Sequence, residues 1–387
     1  MHEAYKKKHF PPSSFKSKPT NPNPSSAAVT VPRTDHHSLH GSKDGLSTEL
    51  RRLIDDFSAV RIEAAPPVTN ISPQEACYLA ELPQEILSYI LSLLANTDFT
   101  ALTRVGFVCK RLAYLTLTEQ SVWKNVAMSD DFGFTAMHYD FACDIEGFSL
   151  EANDEIARYL GSYDDDDEER LPPPTPEERA AVFSAITDEL LHSTYASSWR
   201  QMFRSRPRIR FNGCYISTVN YTRAGGTFSN TLTWGAPVHL VTYFRYLRFF
   251  RDGTVISLLT TSEPADVVHH LIKDNLHDHH SAGLPSRVMK DALRGRWRLA
   301  GPASSMADPI TGEAESEGDV HVETEGVVPR YTYKMLLALA HAGKGARNNK
   351  LAWKGFWSYN RLADDWGEFG LRNDKAFYWS RVKSYDV

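Results

Sequence analysis

The stretch Ala80-Glu81-Leu82-Pro83-Gln84-Glu85-Ile86-Leu87-Ser88-Tyr89-Ile90-Leu91-Ser92-Leu93-Leu94 opens the most densely apolar part of the chain. Pro83 stands where a helix accepts it, in the first turn, because the N–H it lacks would have no intrahelical partner there. Ile86, Leu87, Ile90, Leu93 and Leu94 recur at helical spacing and predict one apolar face. Thr97 or Asp98 is placed to cap a second helix with Phe99, Leu102 and Val105 as its apolar positions. A third helix runs through Val108, Leu112 and Leu115 after Gly106, and Ser121-Val122-Trp123 follows. Three helices this short cannot bury every apolar side chain among themselves. The surplus must pack against something else, either the rest of the chain or a partner.

Upstream, residues 1 to about 45 are rich in Pro, Ser, Lys, Asn and His, as in Pro19-Thr20-Asn21-Pro22-Asn23-Pro24. Such a composition does not offset ordering entropy, so residues 1–77 are read as mostly disordered. One exception is Leu46 to Ile62, where Leu46, Leu50, Leu53, Ile54, Phe57 and Val60 recur at helical spacing. Lys6 to Lys8 fits a solvated basic run, or part of a nuclear signal. Downstream, residues 129–197 form an acidic connector that holds six consecutive acids, Asp164 to Glu169, and then Pro172-Pro173-Pro174. Pro176-Glu177-Glu178-Arg179 has Pro and acids where a first helical turn favours them, and that helix continues through Phe183, Ile186 and Leu190.

From Arg208 the period changes to two, through Ile209, Phe211, Tyr215, Val219 and Tyr221. Val238 to Phe250 and Thr254 to Thr260 are separated by Asp252-Gly253, a strong hairpin signal. Further strand-like runs are Gly295 to Leu299, Asp319 to Glu325, Arg330 to Leu339, Lys350 to Tyr359 and Ala376 to Tyr385, with a long loop from Ser304 to Gly318. The pattern predicts an α+β chain: a short three-helix unit at 78–128, then an antiparallel β-barrel or sandwich at 198–387. A barrel of about eight strands either encloses a cavity or is filled by side chains. Trp297, Trp353, Trp357, Trp366 and Trp379 supply bulk that favours filling.

The bulk chemistry excludes several classes. A net charge of −5 gives no strong pull towards nucleic acid or anionic lipid. No apolar run reaches membrane-spanning length, and Met1 to Phe15 has no apolar core behind its lysines, so neither a membrane span nor a secretory signal is expected. The four cysteines, Cys77, Cys109, Cys143 and Cys214, are far apart and form no Cys-x-x-Cys pair. They point to free thiols inside the cell, in the cytoplasm or nucleus. His269, His270, His277, His279 and His280 cluster with Asp274 and Asp278 but match no defined metal spacing, so no metal or cofactor is expected. No phosphate loop, nucleophile elbow or His-Glu-x-x-His helix is present, and no catalytic residue is assigned. Arg206, Arg208 and Arg210 alternate along an expected strand start and would share one face. They suit a phosphate or acidic segment of a substrate, or a charged edge that blocks strand pairing.

The spacing Leu82-Pro83-x-Glu85-Ile86-Leu87-x-x-Ile90, with Leu102, Val108-Cys109-Lys110-Arg111 and Trp123, resembles an F-box. The resemblance implies that Leu82, Pro83, Ile86, Leu87, Ile90, Leu102, Val105, Val108, Cys109 and Trp123 form the unit that binds a Skp adaptor. Leu82, Pro83 and Ile86 would lie at the interface, and Ile90 and Leu102 would hold the helices together. Ser198-Trp199-Arg200-Gln201-Met202-Phe203, Arg206 to Ser217, Tyr243 to Phe250, Asn349-Lys350-Leu351 and Phe377 to Tyr385 resemble the region after the F-box in the F-box only protein 9 family. Phe132-Gly133-Phe134 with Met137-His138-Tyr139 is similar to its fungal members. The animal members carry a tetratricopeptide-type segment before the F-box, and no helical repeat is found in residues 1–77. Gly295-Arg296-Trp297 resembles the start of a lipocalin-like barrel, which implies Trp297 as an end plug with Arg381 packed over it. A plain core tryptophan explains the triplet equally well. The family resemblance implies a non-catalytic adaptor of a Skp–cullin–F-box ubiquitin ligase, which reaches the cullin and RING subunit through Skp and holds an unknown protein substrate. A lipocalin-like small-molecule sensor, or a Skp-bound scaffold outside the ligase, are the alternatives.

Overall fold

Alternating and helical periodicities separate cleanly in the computed structural model, which describes residues 48–64, 76–150, 175–224, 238–276, 286–302, 312, 314–343 and 346–385. The helical part holds α1 (Thr48–Asp56), α2 (Tyr78–Glu81), α3 (Gln84–Thr97), α4 (Phe99–Val105), α5 (Lys110–Thr118), α6 (Gln120–Ala127), α7 (Pro176–Ser193) and α8 (Trp199–Ser205). Pro83 is the residue before α3, and Asp98 caps α4 by accepting from Thr100 N at 2.8 Å and Ala101 N at 3.0 Å. The three expected helices are α3, α4 and α5; Ser121-Val122-Trp123 belongs to a fourth, α6. The Thr175 hydroxyl accepts from Glu178 N at 3.2 Å while the Glu178 carboxylate accepts from Thr175 N at 2.8 Å, a reciprocal cap that starts α7. Leu87, Leu91, Leu102, Leu115, Val126, Leu191, Trp199 and Met202 make one core, so α7 and α8 complete what α3 to α6 leave open. The acidic run Asp164 to Glu169 and most of residues 1–77 lie outside the described residues.

The strands are β1 (Gly213–Ala224), β2 (Val238–Phe249), β3 (Thr254–Thr260), β4 (Ala292–Leu299), β5 (Asp319–Glu325), β6 (Tyr331–Ala340), β7 (Lys350–Asn360), β8 (Asp365–Glu368) and β9 (Phe377–Arg381), with α9 (Pro264–Val267) after β3. Each of β1 to β7 pairs antiparallel with the next, β7 pairs β9, and β9 returns to β1. The result is a closed eight-stranded barrel, with β8 paired to one end of the β7 edge whose other end meets β9. The seam is short, since β7 meets β9 only at Lys350–Tyr378 and Leu351–Phe377. Gly253 has φ of +85°, the left-handed angle that its turn between β2 and β3 requires.

Register decides what fills the barrel. Trp297 lies opposite Val322, and Val322 opposite Met335, so the three point inward together with Tyr215, Phe249, Leu337, Phe356 and Phe377. The interior is packed with these side chains. Of the five tryptophans expected to fill it, Trp297 does so; Trp353 and Trp379 pack against the core half-buried. Trp357 alternates with the inward Phe356 and pairs with Lys334 on the outer wall, and Trp366 is exposed. The Trp297 Nε1–H donates to Phe250 O at 2.9 Å, and its ring meets His138 at 5.3 Å, Phe211 at 5.9 Å and Phe249 at 5.7 Å. Arg381, expected over it, is an exposed residue of β9 opposite Gly213. The outer wall of β1 to β4 is covered by Val267, Leu271, Met289 and Val382, under which Cys214 and Tyr246 are fully buried.

Burial pushes the Tyr215 and Tyr195 phenols from the ordinary 10.0 up to about 12, and the Cys214 thiol from 9.0 up to about 12. Raised pKa values of this kind leave stability intact below the unfolded values and remove it as pH climbs through the folded ones. The fold is expected to hold to roughly pH 9 and to lose stability steeply towards pH ~12. The last part of the tyrosinate absorbance, that of the buried phenols, should then rise together with loss of circular dichroism. Complete tyrosine ionisation in a chain that keeps its dichroism would contradict this.

Candidate functional site

Helix α3 has a wide apolar arc beside a polar strip, and the two sides of that arc have different fates. Leu87, Leu91 and Ala95 are buried in the helical core. Ile86 (46% exposed), Tyr89 (62%), Ile90 (42%) and Leu93 (49%) form the other stripe at i, i+3, i+4 and i+7, turned to solvent. The turn between α4 and α5 adds Phe107 at 89% and Val108 at 72% exposure, and Tyr78 and Leu79 of α2 are exposed as well. Beside the stripe, a polar groove of about 480 Å³ between α3 and α6 is lined by Gln84, Ser88, Tyr89, Ser92, Glu119 and Asn125. Arg111 ties this corner together by donating to Ser58 O and to Gln84 Oε1.

The ten residues taken from the F-box spacing divide accordingly. Pro83, Ile86, Ile90 and Val108 are exposed, and Leu82, Val105 and Cys109 are half-buried. Leu87, Leu102 and Trp123 lie in the helical core, with the Trp123 Nε1–H donating to Thr116 O at 2.9 Å. These three support the unit from inside and present no docking surface. Ile90 is exposed, whereas Leu102 is at 0% exposure. Tyr78, Leu79, Tyr89, Leu93 and Phe107 were not among those ten. The signal for Tyr89 and Leu93 was present, because an apolar arc wider than one core-facing stripe must offer part of itself to something outside its own core.

The three arginines expected on a strand face are not on a strand. Arg206 is the residue after α8, and β1 starts only at Gly213. Arg206 is 1% exposed: its Nε donates to Glu317 Oε1 at 3.1 Å, and its guanidinium lies 4.7 Å from the Phe134 ring and 5.9 Å from that of Phe183. The Arg208 guanidinium stacks on Phe203 at 3.9 Å and donates to Phe203 O and Phe132 O. Arg210 sits over Trp379 at 4.7 Å and donates to Arg347 O at 2.6 Å. Arg206 bridges the helical part and the barrel, Arg208 packs on the helical side and Arg210 on the barrel side, so each guanidinium is engaged within the chain. Among the described residues no group of acids, histidines and cysteines is arranged to hold a metal; His277, His279 and His280 lie outside them.

The F-box-like family matches residues 79–129, which hold α3 to α6, and the F-box only protein C-terminal region matches residues 188–314, from the end of α7 to the segment before β5. F-box protein pof7 of Schizosaccharomyces pombe is 31% identical over 203 residues, 52% of this chain and 49% of that protein. F-box protein HRT3 of Saccharomyces cerevisiae is 31% identical over 216 residues, 54% of this chain and 53% of that protein. The chain thus spans about half the length of the curated relatives it matches. No solved structure matches the chain. Its short helices thus resemble an F-box-like unit, the region that follows resembles the C-terminal region of F-box only proteins, and the chain is similar to two fungal F-box proteins.

Proposed function

We propose that the chain is the substrate-recognition adaptor of a Skp–cullin–F-box ubiquitin ligase. The observation that carries this reading is the exposed stripe Ile86, Tyr89, Ile90 and Leu93 together with Phe107 and Val108. Large apolar side chains grouped on one small helical unit mark a protein-binding face. Skp covers that face, the cullin and RING subunit follow through Skp, and the barrel presents the substrate. Catalysis by tethering needs no reactive side chain here, because it raises the effective concentration of substrate lysines near a charged conjugating enzyme. A fixed placement of the barrel on the helical part serves this role, and Arg206 bridges the two through Glu317 and Phe134. Such an adaptor works in the cytoplasm or nucleus. The side chains that fill the barrel favour a protein substrate over an enclosed small ligand.

The test is co-purification from the native host, read by mass spectrometry. Wild type is expected to bring Skp and cullin. An Ile86→Glu/Ile90→Glu variant is expected to lose at least ~99% of both, since an apolar interface does not accommodate unpaired carboxylates. Both positions are exposed, so the variant should unfold at the wild-type temperature. A wild-type chain that brings neither partner would overturn the reading, and Skp without cullin would point to a scaffold outside the ligase.

A further inference from the structure

The helical part is joined to one end of the barrel. Leu299 N donates to His138 O at 2.8 Å, Arg251 Nε to Asp131 O at 2.7 Å, and Asn348 Nδ2 to Arg206 O at 3.0 Å. The opposite end carries most of the exposed large apolar side chains of the described barrel, among them Leu240, Leu259, Val328, Leu362, Trp366 and Phe369. At that end β8 is exposed at all four positions. It pairs with β7 along one edge, from Trp357–Glu368 to Asn360–Asp365. It is also the last strand in the sheet order, so its other edge pairs with no strand among the described residues. Trp366 packs on Tyr359 at 4.7 Å and is still 44% exposed, and Phe369 stacks on Phe356 at 4.4 Å.

The charge on this edge has one sign. Asp364 accepts from the Tyr359 hydroxyl at 2.8 Å, but among the described residues neither Asp365 nor Glu368 has an ion-pair partner. Acids on an edge strand repel most would-be strands, including another copy of the same edge. They admit a strand of opposite charge. Period-two alternation puts Trp366 and Glu368 on one face of β8 and Asp365 on the other, so an added strand meets an acid on each face and an indole on one.

We propose that the open edge of β8 takes up an extended segment of a substrate protein, with alternating basic and apolar residues, as an added strand. Main-chain hydrogen bonds to β8 hold the segment, an apolar side chain covers Trp366, and Lys or Arg side chains meet Asp365 and Glu368. This names the substrate class of the adaptor and rests on that reading. Its place at the end of the barrel away from the helical part leaves the Skp-binding face free.

The experiment uses the full chain bound to Skp and a fluorescent peptide of alternating lysine and valine, read by anisotropy. Three probes are compared: that peptide, its glutamate–valine counterpart, and the lysine–valine peptide N-methylated at alternate amides. Wild type should bind the first, and bind the other two at least about tenfold more weakly. An Asp365→Lys/Glu368→Lys variant should reverse the preference between lysine and glutamate by about the same factor, as expected of exposed charge pairs acting together. Equal binding of the N-methylated peptide would overturn strand addition, and unchanged lysine–peptide binding in the variant, or none in wild type, would overturn the site. Retention of Skp by the variant separates these outcomes from failure of the adaptor reading.

Discussion

Trp297→Ala is expected to destabilise the chain by about 4 kcal/mol, seen as a lower urea midpoint with an unchanged slope. The side chain is fully buried, and its neighbours come from four separate segments: His138 before the barrel, Phe211 at its entry, Phe249 on β2 and Val322 on β5. Walls drawn from four segments and several strands collapse poorly onto a cavity, which places the cost at the upper end for a large-to-small change. The lost hydrogen bond adds little, because Phe250 O also accepts from Gly253 N at 3.3 Å and stays paired. Trp297→Phe should therefore cost only about 1.5 kcal/mol, as part of the volume is kept. An alanine variant within about 1 kcal/mol of wild type would mean that this end of the barrel is not packed as described.

The second large effect concerns the joint between helices and barrel. Glu317→Ala should cost about 3 kcal/mol and Arg206→Met less, about 1–2 kcal/mol. The asymmetry follows from burial. Arg206 is 1% exposed and Glu317 is 28% exposed, so removing the acid strands a buried guanidinium. It keeps only Thr187 Oγ1, at 3.4 Å, and aromatic faces for company. Removing the arginine frees a carboxylate that water re-solvates, and methionine refills much of the space beside Phe134 and Phe183. Urea titration of both variants and of the double variant measures the coupling. If Arg206→Met costs more than Glu317→Ala, stacking of the guanidinium on the rings, and not its pairing, holds the joint.

Helical spacing in residues 84–118 and alternation from Tyr215 onward are local signals, and both survive in the structure as α3 to α5 and the barrel strands. The Asp252-Gly253 turn was equally legible, because a positive φ at Gly253 is a property of that residue and its turn. The strand expected at Ile209 starts four residues later, at Gly213. Residues 206–212 alternate in polarity for another reason: Ile209 and Phe211 enter the barrel core while Arg208 stacks on Phe203 and Arg210 on Trp379. Strand β8 was missed because Asp365-Trp366-Gly367-Glu368 buries nothing and so writes no alternation of burial into the sequence.

The sequence by itself determined the kinds of element, their order and the F-box spacing from Leu82 to Trp123, since these depend on residues one or two turns apart. Only the tertiary structure decided which stripe of α3 turns outward. Ile86 and Ile90 are as apolar as Leu87 and Leu91, and the choice was made by Leu115, Val126 and Met202 arriving from later helices to cover one side. Closure of the ring, the inward turn of Trp297 and the burial of Arg206 are likewise set by contacts between residues far apart along the chain, such as Lys350 with Tyr378 and Arg206 with Glu317. A periodicity records that a side chain is covered. What covers it is settled when distant segments meet and pack.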